Sequence, residues 1–320
     1  MTAATGVALF QQMKDKQDPL VLAPLNSLVF AHKWSIGATY IPETICNPTT
    51  GALLPLPQGW HTLGELQKKA GVDLTPDKKT SDVEGLGSLP PRRSITTSEG
   101  LAVDFTAQEW RKVNTELYYG TDLTGIYANE TSGEWRGHKM VSAMDDYWSL
   151  IVMAFDGVPG SEIWPYWILP KLMSTKSGKM SLADGSEIAF PSTLTCYQDS
   201  SFVSSDGVVG SFFDFGVAGV GNIPLAKLGG FMQVTAITVS PSTKTLAHSP
   251  AGTQQLTVTD SNGKDVTVWS TFTSGTPADA TVSASGLVTA VAAGSSVITA
   301  SYTPDDAGAA LTATCSVTVS

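Results

Sequence analysis

The sequence predicts a mainly β (α+β) chain of two domains. A β-sandwich or partial barrel with one flanking helix occupies residues 1–235, and a smaller β-sandwich occupies residues 236–320. Three observations carry this. Composition breaks after "LGGFMQ" (Leu228–Gln233): the 85 residues from Ala236 to Ser320 hold 17 Thr, 13 Ser and one Trp, while the other seven tryptophans lie upstream. Period-two alternation recurs between turn signals throughout that C-terminal part. Upstream, one clear helical pattern stands among apolar runs of strand type.

Along the first domain, "TLGELQKKAG" (Thr62–Gly71) has the spacing of a short helix. The next interval, Thr75–Gly100, carries Lys78, Lys79, Asp82, Glu84, Arg92 and Arg93 and leaves little to bury. It reads as a long loop, either simply solvated or binding, with Lys78, Lys79, Arg92 and Arg93 as candidate assembly contacts. "LAVDF" (Leu101–Phe105) is a strand feeding directly into the clearest helix, within "DFTAQEWRKVNTELYYG" (Asp104–Gly120). There Thr106 and Glu109 form a capping box, Trp110, Val113 and Leu117 share one face, and Gly120 is the stop. "DYWSLIVMAFDG" (Asp146–Gly157) is an apolar strand, and "SEIAFPSTLTCYQD" (Ser186–Asp199) is another after the turn Ala183–Ser186.

In the second domain, "TATCSVTVS" puts Ala313, Cys315, Val317 and Val319 on one face and Thr312, Thr314, Ser316 and Thr318 on the other. "QQLTVTDSNGKDVTVWSTF" predicts two strands around an Asn262-Gly263 hairpin turn.

The net charge of −10 argues against gripping nucleic acid, since phosphate affinity needs clustered Lys and Arg. No run approaches the roughly 18 to 20 apolar residues of a membrane span, and the N-terminus lacks the pattern of a signal peptide. Cys46, Cys196 and Cys315 are odd in number and far apart, which predicts buried thiols in a reducing compartment, with no disulfide framework or zinc site. His32, His61, His138 and His248 have no metal-ligand spacing. "MSTKSGKMS" (Met173–Ser181) lacks the first glycine and the hydroxyl of a phosphate loop, and no G-x-S-x-G elbow occurs. Asp260, Asn262 and Asp265 lack the terminal glutamate of a calcium loop and read as a turn. Asn129–Thr131 is a glycosylation sequon that matters only on secretion. Asp145 and Asp146, adjacent in an expected strand, point to opposite faces. The expectation is a protein that is not an enzyme and takes no cofactor and no metal.

Two resemblances add to this reading. "ITVSPSTKTL" (Ile237–Leu246), "VTVWSTF" (Val266–Phe272) and "ATVSASGLVTAVAAGSSVITASY" (Ala280–Tyr302) resemble bacterial Ig-like domains of group 2, which implies a spacer or displayed module. Trp269, Phe272 and Tyr302 are then candidates for weak carbohydrate contacts, with Trp269 alternatively the core tryptophan of the sandwich. "GWHTLGEL" (Gly59–Leu66), "LAVDFTAQEWRKVNTELYYG" (Leu101–Gly120), "SLIVMAFDG" (Ser149–Gly157) and "WILPKLMSTKSGKMSLADGSEIAFPSTLTCYQD" (Trp167–Asp199) resemble the tail-tube subunit, or major tail protein, of phages with long non-contractile tails. The likeness spans about residues 55–200. It implies hexameric rings stacked into a tube, DNA passing through without specific binding, and neighbours such as the tape measure and tail terminator. It also implies assembly in the host cytoplasm and a place in the virion, with host-surface polysaccharide as a candidate ligand and no membrane. The rival readings are a capsid or capsid-decoration protein with the same module, and a secreted carbohydrate-binding adhesin.

Overall fold

The computed structural model describes residues 14, 16–37, 39–84, 86, 90–141, 146–305 and 309–320. These fall into two compact units, one within residues 23–222 and one within residues 223–320.

The first unit is built on β1 (Asn26–Lys33), β2 (His61–Thr62), β3 (Val72–Val83), β4 (Arg93–Ala107), β5 (Tyr147–Val158), β6 (Ser161–Ser177), β7 (Phe190–Cys196) and β8 (Asp214–Ala218). They form one eight-stranded sheet, ordered β2-β1-β5-β6-β7-β4-β3, with β8 also paired to β6. Alternate residues of β5 enter different cores: Leu150 and Val152 face one, Ile151 and Met153 the other. A strand covered on both faces has no reason to alternate, so "LIVMAF" (Leu150–Phe155) is continuously apolar. The larger core also takes Phe105, Phe190 and Leu194 from β4 and β7, so the sheet curls around it as a partial barrel. The other face is closed by irregular chain through Ile45, Cys46 and Phe202.

Helix α1 (Lys112–Tyr119) seals the larger core with Val113 and Leu117 and stops at Gly120, whose φ of 56° is the left-handed geometry glycine tolerates. Its predicted start is corrected. Thr106 lies within β4, and the N-cap is Arg111, with no side-chain cap bond. Glu109 instead accepts the Glu65 backbone N–H at 2.8 Å and Arg111 Nε at 2.6 Å. Trp110 precedes the helix and is exposed, so it does not share the buried face. The predicted helix over Thr62–Gly71 is also absent. That segment is extended beside the end of β4, with Leu66 bridged to Ala107 and the Leu63 carbonyl held by Asn114 Nδ2 at 2.8 Å. Leu63 and Leu66 are both buried, so the helix-like spacing reflects two anchors of an irregular segment.

The Thr75–Gly100 interval is a second correction. It is not a loop: β3 and β4 pair antiparallel from Val72↔Phe105 to Val83↔Arg93, with a bulge between Lys79 and Thr80. Sequence alternation fails here because both faces are in water beyond Pro76, and backbone hydrogen bonds alone define the strands. Gly85, Gly87, Ser88 and Leu89 of that interval lie outside the described residues, as does Asp145. Asp146 precedes β5, binds Lys33 Nζ at 2.9 and 3.0 Å, and accepts Trp148 Nε1 at 3.0 Å.

The second unit carries a short helix, α2 (Asn222–Leu228), and then β9 (Ile237–Ser240), β10 (Thr243–Leu246), β11 (Thr253–Gln255), β12 (Thr257–Asp260), β13 (Thr271–Ser274), β14 (Ala280–Val282), β15 (Leu287–Ala290), β16 (Gly294–Tyr302) and β17 (Leu311–Val319). Sheets β10-β17-β16-β13, β11-β15-β14 and β12-β9 enclose an aliphatic core of Leu256, Val258, Val266, Val288, Ile298 and Val317. In β17, Cys315, Val317 and Val319 are buried, as the alternation requires. The turn at Asn262-Gly263 exists, yet β12 pairs with β9, and the run beyond the turn becomes a 3-10 turn (Thr267–Trp269) before β13. A short hairpin does form across the turn, with Thr259 bridged to Asp265, the Asp260 N–H on the Lys264 carbonyl at 3.0 Å and the Val266 N–H on the Val258 carbonyl at 2.8 Å. The second run leaves the ladder after Val266, where Asp265 Oδ1 accepts the Thr267 N–H at 2.9 Å.

Candidate assembly and display surfaces

From Pro76 to Val83 and back from Arg93, the β3–β4 ribbon leaves the core, reaching roughly 25 Å at ~3.3 Å per residue. Lys78 and Lys79 sit midway, opposite Glu99 and Ser98, and Lys79 Nζ lies 3.7 Å from Asp77. Arg93 is opposite Val83 at the far end, and the Arg92 N–H bonds the Val83 carbonyl at 2.9 Å. The four predicted cations are therefore two pairs at different heights. Over 76–99 they face four acids, Asp77, Asp82, Glu84 and Glu99, so the arm is neutral overall. An exposed two-stranded ribbon is marginal alone, which makes this a surface suited to completion by another molecule.

Beyond the inner end of β4, sequence reasoning missed a second surface. Residues 121–138 leave α1 as an irregular loop and return: Thr121 Oγ1 donates to the His138 carbonyl at 2.7 Å, and Lys139 Nζ to the Gly120 carbonyl at 2.6 Å. Asn129 Oδ1 accepts the N–H groups of Thr131 and Ser132, both at 2.9 Å, so the sequon asparagine organises this loop. Between loop and helix lies a groove of about 250 Å³, lined by Trp110, Tyr127, Trp135, Leu123 and Ile126. Trp110, Tyr127 and Trp135 are 55%, 83% and 40% exposed. The available signal was three aromatics in a polar, non-periodic stretch where no core was due.

Elsewhere the polar groups serve the fold. Asp199 is buried and accepts Trp34 Nε1 at 2.8 Å and Ser201 Oγ at 2.6 Å. Burial pushes its carboxyl up, but hydrogen bonds from Ser201 and Trp34 and the Lys171 charge outweigh that and hold it below the usual range. His32 stacks on Tyr40 at 3.9 Å between ring centroids, and burial lowers its pKa. Cys46, Cys196 and Cys315 are all buried free thiols, and burial pushes Cys196 up to about 12. Among the described residues no group of three His, Cys, Asp or Glu could hold a metal, and no helix is long and apolar enough to cross a membrane.

On the second unit the three aromatic candidates do not form one platform. Phe272 and Tyr302 pack against the aliphatic core. Trp269 is 55% exposed beside the Lys264 ammonium, 5.4 Å from its ring centroid. It is therefore not the core tryptophan, because the 3-10 turn carries it outward while Val266 takes the inner place. Asp260 Oδ1 is occupied by the N–H groups of Asn262 and Lys264, both at 2.9 Å, as a turn requires.

Comparison with known proteins follows the same division. Residues 38–204, more than half of the chain, match the family described as phage tail tube protein. Residues 233–313 match the bacterial Ig-like domain (group 2). No curated protein matches by sequence. A solved structure that is similar is the anti-feeding prophage (AFP) baseplate, 6-fold symmetrised, at 10% identity, covering 62% of this chain and 97% of that one with a TM-score of 0.31. A value that low carries no argument about architecture.

Proposed function

Since the chain belongs to the phage tail tube protein family, we propose that its copies close into hexameric rings that stack into the tube of a long, non-contractile tail. The β3–β4 arm carries this reading. A ribbon that leaves its own core by roughly 25 Å, with both faces in water, gains its stabilisation when another subunit covers it. Lys78, Lys79, Arg92 and Arg93 then find carboxylate partners across a subunit or ring contact. Residues 1–235 carry 17 basic against 24 acidic side chains, a net −7, which suits a channel that passes polyphosphate without holding it. The Ig-like module, residues 236–320, sits on the outer wall, because a sandwich repeated around each ring would obstruct the lumen. There Trp269, the exposed member of the aromatic trio, offers a weak stacking face for cell-surface carbohydrate that many copies amplify. Tape-measure and terminator proteins are the expected tail neighbours. Negative-stain microscopy of the purified chain tests the reading. Tubes or stacked rings support it, whereas closed shells, trimeric knobs or persistent monomers at high concentration overturn it.

A further inference from the structure

We propose that the aromatic groove between α1 and the 121–138 loop is the socket for the β3–β4 tip of a second copy of this chain. This rests on the tube reading above and names the partner of its arm.

Register Ser81↔Ile95 and Val83↔Arg93 puts Val83, Ile95 and Arg93 on one face of the ribbon. Val83 and Ile95 are 47% and 41% exposed, so two β-branched side chains stand in water beside a guanidinium. The groove is an apolar receiver, lined by Leu123 and Ile126 together with Trp110, Tyr127 and Trp135. Aromatic residues so placed are the usual anchors of a protein contact. The loop is already closed on itself by its Thr121–His138 and Asn129 bonds, so little ordering remains to oppose docking.

The tip cannot fill the groove of its own chain. From Ile95 to Ala107 the strand runs twelve residues without a break, roughly 40 Å, before the chain reaches Trp110. Folding back would require dissolving the β3–β4 ladder. A tip and a groove that complement each other on one chain but cannot meet within it are met by a neighbouring copy. Charge points the same way. Residues 83–95 carry Arg92 and Arg93 against Glu84, a net +1, while residues 121–138 carry Asp122, Glu130 and Glu134 against Arg136, a net −2. Lys112, 5.7 Å from the Tyr127 ring centroid, offsets part of this at one wall and leaves the loop side acidic.

Two singly substituted full-length chains, Ile95→Cys and Tyr127→Cys, provide the test. The three native thiols are buried, so a short bis-maleimide reports the introduced pair. Mixed chains that form tubes should give a covalent heterodimer on a denaturing gel, well above either chain alone. Tubes without that product overturn the socket and leave the tube reading standing. If the wild-type chain forms neither tubes nor rings, the tube reading falls and the socket with it. A double-mutant cycle on the critical concentration, using Val83→Asp and Tyr127→Ala, covers the case where the cysteine chains assemble poorly. If the pair meets, each single change raises the critical concentration about 10-fold and the double change little further. Additive losses, about 100-fold for the double change, overturn the proposal.

Discussion

Replacing Arg92 and Arg93 together by alanine separates the folding of the subunit from its assembly. Both side chains are exposed, and neither takes part in an ion pair among the described residues. The cost to the subunit should therefore stay within ~0.5 kcal/mol, the range of surface substitutions away from special features. For a body of this size that shifts the melting temperature by less than about 2 °C. At the subunit contact proposed above, each arginine would face a carboxylate of a neighbour at an edge that water still reaches, worth ~0.2 to 1 kcal/mol. The pair then contributes ~0.4 to 2 kcal/mol per protomer, which raises the critical concentration by roughly 2- to 30-fold at 1.4 kcal/mol per decade. Pelleting of polymer across a dilution series, in low and raised salt, measures this directly. Wild-type pelleting should itself weaken with salt as the contacts are screened. The gap between variant and wild type should be widest at low salt and close as salt rises, and a variant that pellets like the wild type at low salt refutes the reasoning.

Further outcomes are expected. Leu117→Ala removes a buried anchor of α1 from the larger core and should cost ~2 to 5 kcal/mol in denaturant unfolding of the first unit. In the Ig-like module, Leu256→Ala should cost a similar ~2 to 5 kcal/mol, whereas Trp269→Ala should stay within ~0.5 kcal/mol and act only on adsorption to envelope polysaccharide. The lowered pKa of His32 means the unfolded chain binds a proton there more readily than the folded one. The stability this group contributes is complete above its ordinary 6.5 and is lost as pH falls from there through the depressed folded value. His32→Gln should flatten that part of the stability profile, and an unchanged slope would contradict the assignment. Residues 1–235 alone should still form tubes by electron microscopy, and a truncated chain that folds but never polymerises would make the module part of the assembly itself.

What the sequence made legible follows the density of buried apolar contacts. β5, β17 and the inner face of α1 carry their pattern because cores select it, and Val113, Leu117, Cys315 and Val317 are buried where the periodicity places them. The β3–β4 arm was illegible as strand because no core touches its outer half, and solvated ribbon has the composition of solvated loop. The Thr106–Glu109 box misled because the same residue types were claimed by a neighbour: Glu109 binds the Glu65 N–H in place of its own helix start. Trp269 misled differently. A small aliphatic core built from Leu256, Val266 and Ile298 has no need of a tryptophan, and composition does not reveal which large residue a core leaves out. Of the candidate contacts, Arg92 and Arg93 do lie together at the far end of the arm, but the groove beyond the inner end of β4 emerged only from long-range geometry, between residue 110 and a loop up to 25 positions later.

The strand β4 is divided along its length. Its last seven residues, Leu101–Ala107, dip alternately into the core, while the eight from Arg93 to Gly100 touch no core at all. The outer eight can therefore drift in sequence with almost no penalty in folding, and the inner seven cannot. With the outer end as the subunit contact proposed above, related phages would acquire mutually exclusive subunits, each refusing to co-polymerise with the others in a doubly infected cell, by exchanging a few residues there. The shared barrel beneath would remain unchanged.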